Sequence, residues 1–333
     1  MVLKVGTIGT SWITEQFIEA ILASREYDLG AIYSRDASKA KVINEKFATN
    51  ATAFTDLTAF FASDIDVVYI ASPNALHYRQ ILQAIENDKH VIVEKPAVIT
   101  PMQFEMVYSK LREHPNVRFF EAARHIHQPN FKKIAAQIEK MEQIQGATFV
   151  YNKYSSRFDD FLAGKNPNVF NPDFAGGAIE DLGVYPIYAA VALFGLPKDA
   201  QYFATKLSNG ADGRGTAILR YPEFDVTLIF GKNSNSYLAS EIYGLEDSIV
   251  IDSIAELTSI LYHHNPTEAE QIADLPHENP MLAEVTVFAE IINNFDLHNQ
   301  EYRDLLMLSQ RVNNVIYQLR QTAALSFPAD QEK

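Results

Sequence analysis

The sequence predicts an α/β fold: an N-terminal doubly wound parallel sheet, then an α+β domain with a large, open, mostly antiparallel sheet. Three observations predict it. The first 120 residues alternate short apolar runs with helix-length amphipathic stretches. Past about residue 145, strand-like runs follow one another with short turns between them. Two long helical stretches close the chain. Buried parallel strands read as continuous apolar runs joined by crossover helices, whereas open antiparallel strands are joined by turns. A chain of 333 residues exceeds one ordinary core and divides comfortably into two. We place the division at residues 1–122 and 123–333.

In the first part, Val2–Ile8, Leu29–Tyr33, Val67–Ala71, His90–Val93 and Val117–Glu121 read as strands. Ile13–Leu22, Ala37–Phe47, Leu76–Ile85 and Pro101–Leu111 carry apolar residues at helical spacing. In the second part, Ala147–Ser155, Gln201–Leu207, Thr216–Tyr221, Val226–Phe230, Leu238–Tyr243 and Ser248–Asp252 read as strands. Residues 264–280 are polar and proline-containing and read as a surface loop. Met281–Phe295 and Arg303–Leu325 read as helices. The second of these places Leu305, Leu308, Val312, Val315, Ile316 and Leu319 on one stripe.

Composition excludes several functions. With 47% apolar and 21% charged residues the chain is globular rather than disordered. It contains no cysteine, which removes disulfide scaffolds, thiolate zinc sites and cysteine nucleophiles. A net charge of −14 disfavours nucleic acid and anionic membranes as partners. No apolar run of about 18 residues is evident, so a membrane span is not expected. The N-terminus reads directly as a strand rather than as a signal peptide, which points to the cytoplasm. No His-x-x-x-His or His-Glu-x-x-His pattern falls on a clear helix, and no metal is expected.

The first strand-to-helix turn runs Gly9-Thr10-Ser11-Trp12-Ile13-Thr14. A dinucleotide-binding fingerprint would have glycine at 9, 11 and 14, and only Gly9 is present. Small residues at this place still let a pyrophosphate approach the amides of a helix N-terminus. Trp12 is the single tryptophan; it flanks a cofactor or simply packs. After the second strand come Ser34 and Arg35, where NAD enzymes usually carry an acidic residue. A serine and a guanidinium suit a 2′-phosphate, so NADP is preferred over NAD. Asp36 is the rival: it reaches a ribose hydroxyl if the turn is shifted.

Two further stretches follow the ends of strands, where ligands bind in open α/β sheets. One is Ala71-Ser72-Pro73-Asn74-Ala75-Leu76-His77, and the other is Glu94-Lys95-Pro96. The second holds an ammonium at the sheet edge. His77 lies beside a cofactor, or caps or packs.

At these residues the chain resembles the glucose–fructose oxidoreductase/inositol dehydrogenase (Gfo/Idh/MocA) family along essentially its whole length. The pairing of Ser72-Pro73-Asn74-x-x-His77 with Glu94-Lys95-Pro96 is specific to it. A third match is Gly176-Gly177-Ala178-Ile179-Glu180-Asp181-Leu182-Gly183-Val184-Tyr185-Pro186, and the closing Phe327-Pro328 is also typical. The resemblance implies an N-terminal Rossmann domain and a C-terminal domain whose open sheet builds a homodimer or homotetramer. In the family an aspartate lies four residues before a histidine or tyrosine. Tyrosine at 185 is similar to the glucose–fructose oxidoreductase and dihydrodiol dehydrogenase branch. The implied activity is NAD(P)-dependent hydride transfer at a hydroxyl or carbonyl of a sugar, polyol or dihydrodiol-like compound. Two rivals share the fold: a dinucleotide-sensing regulator without turnover, and a glycosidase that uses NAD transiently.

Hydride chemistry at a carbinol needs a proton acceptor or donor, and positive charge near the oxygen. Tyr185 suits the first role and Lys95 the second. Free tyrosine ionises near pH ~10, and a neighbouring ammonium favours the phenolate. Asp181 would hydrogen-bond a substrate hydroxyl or orient Lys95. Pro186 disfavours a regular helix at Tyr185. Arg124 and Arg157 are candidates for lining the substrate pocket. Taken singly, a lysine after a strand reads as a surface charge, an aspartate after Gly-Gly as a cap, and Tyr185 as a core residue.

Overall fold

The computed structural model describes residues 1–331, and the chain folds into two compact units. The first comprises residues 1–124 and 277–309. The second comprises residues 125–276 and the segment from Gln310 onward.

The first unit alternates strand and helix. In order these are β1 (Leu3–Ile8), α1 (Trp12–Ser24), β2 (Tyr27–Tyr33), α2 (Ala37–Phe47), β3 (Thr52–Phe54) and α3 (Leu57–Phe61). They continue as β4 (Val67–Ile70), α4 (Asn74–Glu86), β5 (His90–Glu94), α5 (Pro101–Glu113) and β6 (Phe119–Ala122). All six strands are parallel, in the order β3-β2-β1-β4-β5-β6. β4 is buried at every position, as a strand covered on both faces must be. Chain direction across the sheet reverses at β1 and β4, and this switch point is where such sheets take ligands. The short pair β3 and α3 is not foreseen from the sequence. Three and five residues are too few for a periodic signal; α3 is fixed instead by Asp56, whose Oδ1 accepts from the Ala59 amide at 2.8 Å.

The return of residues 277–309 to the first unit is also unforeseen. Helix α10 (Leu282–Asn293) buries Val285, Phe288 and Ile291 there, and Phe288 stacks on Phe120 with ring centroids 4.5 Å apart. Three such side chains contribute about 1.5–3 kcal/mol each, which explains why the chain comes back. Tyr27 of β2 donates to the Val285 carbonyl at 2.9 Å and fixes the docking register.

The chain leaves the first unit at α6 (Arg124–His127). The second unit then holds α7 (Pro129–Ile138), β7 (Gly146–Asn152), α8 (Phe158–Leu162), α9 (Val184–Phe194), β8 (Asp199–Lys206) and β9 (Asp212–Arg220). It continues with β10 (Asp225–Gly231), β11 (Ser240–Tyr243), β12 (Ser248–Ile251), β13 (Ile260–Asn265) and β14 (Glu268–Gln271). Strand order is β14-β13-β12-β11-β7-β10-β9-β8, antiparallel throughout except for β7 against β10. β13 and β14 occupy part of the stretch read as a loop. β14 is polar and wholly exposed, an edge strand whose one apolar side chain, Ala269, is too small to betray it.

One face of this sheet is buried through Phe149, Leu219, Leu228, Phe230, Ile242 and Ile249. The stretch Pro172–Phe194 corrects one expectation. It is 23 residues long with mean hydropathy 1.3, apolar enough for a span by composition, yet 72% of its most apolar window is buried as a core segment. Helix α11 (Phe295–Thr322) closes the chain, its first half in the first unit and its second half in the second.

Candidate active site

In the first unit the sequence-selected residues gather along one sheet edge, at the C-terminal ends of β1, β2, β4 and β5. Gly9 ends β1 with φ +118°, and a Cβ there would meet the Ala71 carbonyl oxygen at 2.7 Å. Glycine is required at this position alone of the three in the fingerprint. Ser11 is exposed, and Thr14 is buried beneath the turn. Thr10 and Ile13 are half-buried. No side chain caps the N-terminus of α1 at Ser11 or of α4 at Pro73. α2, α3 and α5, by contrast, are capped by Asp36, Asp56 and Thr100. The helix that starts after Gly9 therefore keeps first-turn amides for an outside acceptor, the arrangement that suits a pyrophosphate, whereas in α4 the Leu76 amide already donates to the Pro73 carbonyl at 2.8 Å. Trp12 is 70% exposed beside this turn, which decides against core packing.

At the end of β2, Ser34 is buried and its Oγ accepts from the Asp36 amide at 3.2 Å, while Arg35 is exposed. Asp36 caps α2: its Oδ1 accepts from the Ser38 amide at 3.0 Å and the Ser38 hydroxyl at 2.7 Å. Those bonds hold the Asp36 carboxyl below the usual carboxylate range. The acidic rival is thereby engaged, and Arg35 is the group displayed.

At the ends of β4 and β5, the Ser72 hydroxyl donates to Gln80 Oε1 at 2.7 Å, and Ala71, Pro73 and Asn74 are half-buried. Lys95 is half-buried, and the Lys95–Pro96 peptide is cis. The following loop is held by Glu121, whose Oε1 accepts from the Ala97 amide at 2.8 Å and whose Oε2 accepts from Ser309.

Two expected cofactor contacts are corrected. His77 is fully buried, with Nδ1 2.9 Å from the Pro96 carbonyl and Nε2 2.8 Å from the Ser72 carbonyl. It is a strut joining the two motifs, with no ring nitrogen left over for a ligand. Burial lowers its proton affinity, and the two carbonyls oppose this less strongly. The Glu94 side chain also points inward. It accepts from the Tyr69 hydroxyl at 2.7 Å, and burial raises its pKa against the pull of Lys95. A second carboxyl, Glu284 of α10, is buried nearby. Burial first and the Glu94 charge second push its pKa up, and Arg124 opposes them. Arg124 is itself buried, and its Nη1 donates to Gln16 Oε1 at 3.4 Å.

In the second unit the third motif is clamped at each step. Gly177 lies so close to Asp212 that a Cβ would sit 2.1 Å from its Oδ1. Asp212 is fully buried and accepts from the Ala178 amide (3.0 Å), the Ile179 amide (2.8 Å) and the Tyr202 hydroxyl (2.7 Å); burial raises its pKa. A π-helical turn, Ile179–Gly183, leads into α9. Pro186, in the first turn of α9, has no N–H to give, and the wider turn before it accommodates this loss. Glu180 points inward to Arg320, Oε1 to Nε 3.0 Å, both essentially unexposed. Asp181 pairs with Lys232 Nζ at 2.6 Å and is 35% exposed. Tyr185 is 8% exposed; its carbonyl accepts from His125 Nε2 at 3.0 Å, and its ring meets those of His125 and Tyr151 at 5.1 and 5.2 Å. Arg157 is a surface side chain, 66% exposed and 3.7 Å from Asp160.

Sequence reasoning missed Lys232 and Asp212. Lys232 follows the apolar run Thr227–Phe230, the same grammar that singled out Lys95. Asp212 carries no comparable signal. Among the described residues, no group of three or more His, Cys, Asp or Glu side chains could hold a metal.

A parallel sheet whose switch point presents a glycine turn, an uncapped helix start and a lysine defines a dinucleotide-dependent enzyme as a class. Residues 3–122 match the oxidoreductase family with an NAD-binding Rossmann fold, and residues 148–250 match the Gfo/Idh/MocA C-terminal domain. The chain belongs to the Gfo/Idh/MocA oxidoreductase family. It is 36% identical over 332 residues to an uncharacterized oxidoreductase of Escherichia coli, covering 99% of each chain. It is 36% identical over 331 residues to a scyllo-inositol 2-dehydrogenase (NADP(+)) of Bacillus subtilis, again covering 99% of each. Its fold matches that of a 3-ketoreductase from Actinomadura kijaniata, solved with NADP and TDP-benzene. The TM-score is 0.84 at 23% identity, over 97% of this chain and 98% of that one.

Proposed function

We propose that the chain transfers hydride between NADP(H) and a ring hydroxyl or carbonyl of a polyol or sugar. The observation that carries this is the switch-point edge, where Gly9, the uncapped start of α1, Arg35 and Lys95 are aligned on one unit. The pyrophosphate suits the turn after Gly9, with Thr10, Ser11 and Ile13 around it. Arg35, with Asp36 engaged in capping, suits a 2′-phosphate, and so NADP over NAD. When bound, the nicotinamide supplies or takes the hydride. Lys95 stabilises negative charge on the substrate oxygen, Tyr185 holds or moves the hydroxyl proton, and Asp181 accepts a hydrogen bond from a neighbouring hydroxyl. The near-full-length similarity to an inositol dehydrogenase supports a cyclic polyol as substrate.

The test is turnover by the purified chain with NADP and NAD on scyllo-inositol, myo-inositol and common aldoses. Turnover faster with NADP is expected. Lys95→Met and Tyr185→Phe should each lower kcat by on the order of 10²–10⁴. Arg35→Ala should raise KM for NADP and leave that for NAD. Full activity in the Lys95 or Tyr185 variant overturns the roles.

The outer face of the second sheet supports a homo-oligomer. Phe203 (64% exposed), Ile218, Thr227, Ile229, Val250 and Leu261 give it an apolar stripe among the charged Arg214, Asp225 and Glu241. Light scattering should give a dimer or tetramer, and Phe203→Lys should shift it toward monomer.

A further inference from the structure

Lys232 is a lysine in the wrong place for a surface charge, being 1% exposed. Its backbone is fixed on both sides: the amide donates to the Gly213 carbonyl at 2.8 Å, and the carbonyl accepts from the Ser155 amide at 2.8 Å. The ammonium donates to the Val169 carbonyl at 2.7 Å, lies 4.5 Å from the centroid of the buried Phe170 ring, and meets Asp181 Oδ2 at 2.6 Å. A desolvated ammonium needs a counter-charge, and burying it costs more than an ordinary ion pair returns. The neighbouring pair shows what a purely structural version looks like here. Glu180 and Arg320 are both sealed off, at 1% and 0%. Asp181 differs: its charge partner is interior, yet a third of its own side chain meets solvent. The carboxylate is gripped from inside the unit and reachable from outside it.

We propose that Lys232 is a positioning residue, which fixes the Asp181 carboxylate in one orientation so that it can accept a hydrogen bond from a hydroxyl of the substrate. This rests on the reading of Asp181 as a substrate-binding group. Its chemical consequence concerns the substrate. The ammonium neutralises Asp181, so the pair offers an oriented acceptor without net charge, which selects a neutral hydroxyl over a phosphate or a carboxylate. A misplaced acceptor forfeits on the order of 10² in kcat/KM.

The test compares wild type, Lys232→Met, Asp181→Asn and the double variant. Methionine fills the aliphatic volume of Lys232 without its charge, and Asp181 retains water, so the variant is expected to fold. With scyllo-inositol, Lys232→Met should raise KM and lower kcat/KM by about 10²-fold. NADPH affinity, read from protein fluorescence, should stay within about twofold of wild type, a change of less than half a kcal/mol. The double variant should be no worse than Asp181→Asn, since both changes disable one device. Independently of turnover, protein labelled at the aspartate carboxyl carbon should show the Asp181 resonance, assigned by its loss in Asp181→Asn, displaced in Lys232→Met while the others stay. A chain that oxidises none of the polyols refutes the oxidoreductase substrate, and the carboxyl resonance still decides whether Lys232 governs Asp181. An unmoved resonance, independent losses that multiply in the double variant, or kcat/KM within twofold of wild type in Lys232→Met overturns the proposal.

Discussion

Glu180→Gln isolates the sealed ion pair beneath the third motif. Arg320 is fully buried, and two carboxylates answer its charge: Glu180 at 3.0 Å, and Asp330 through its two oxygens at 2.9 and 3.1 Å. Removing one partner of a buried pair costs about 3–5 kcal/mol, because the other charge is left desolvated. Asp330, 14% exposed, keeps part of the guanidinium compensated, so the lower end applies, about 3 kcal/mol. For a domain of this size each kcal/mol lowers Tm by about 2–4 °C, which predicts a fall of about 6–12 °C. Scanning calorimetry and urea unfolding followed by circular dichroism measure it. Replacing every member, Glu180→Met and Arg320→Met with Asp330→Asn, should recover most of the loss, because no charge is then left stranded. A loss under about 1 kcal/mol in Glu180→Gln, or a triple variant worse than the single one, would refute the reasoning.

Three other perturbations have clear signs. Burial, with the Arg118 charge adding to it, depresses the His90 pKa from 6.5 to about 4, and its Nδ1 accepts from the Arg118 amide at 3.0 Å, which a neutral ring allows. The stability this contributes is present above about pH 6.5 and lost as pH falls toward 4, roughly 3 kcal/mol in all. Urea midpoints across that window should fall less steeply in His90→Gln, and equal slopes would contradict this. Glu284 works in the opposite sense: its pKa is raised by burial, so stability is lost as pH rises through the raised value. Glu284→Gln should therefore exceed wild type in thermal stability by a margin that widens from pH 5 to pH 9, and a constant margin would count against it. Trp12 is the only tryptophan and is 70% exposed at the turn after Gly9. Its emission should be quenched by NADPH with energy transfer to the nicotinamide, and a signal unaffected by saturating NADPH would remove Trp12 and its turn from the site.

Much of this was legible in the sequence where burial writes continuous apolar runs. Every long parallel strand and its crossover helix was readable within a few residues, because a doubly covered strand has no polar face to confuse the pattern. β3, α3 and β14 were not, since each is too short or too polar to carry a period. α9 is apolar all round and gives no stripe. The motifs singled out Gly9 and Lys95 in the first unit and Asp181 and Tyr185 in the second. They did not tell which side chains face inward. Glu94 and His77 look like ligand contacts in one dimension, and each spends its polar atoms on the interior. The opposite error hid Lys232 and Asp212, whose importance comes from partners distant in sequence: Asp181 lies 51 positions before Lys232, and Ala178 lies 34 before Asp212.

The return of residues 277–309 has a consequence for how the molecule comes into being. During synthesis the parallel sheet emerges well before its covering helix α10, because the whole sheet of the second unit lies between them in the chain. Until then the surface formed by Tyr27 and Phe120 has no cover, and the nascent chain carries an unfinished core through the whole of the second unit's synthesis. A gene fragment ending at residue 122 would make that unfinished state permanent. A workable excision has to splice 277–309 back onto 1–124, and chaperone dependence should ease only once translation has passed the end of α10.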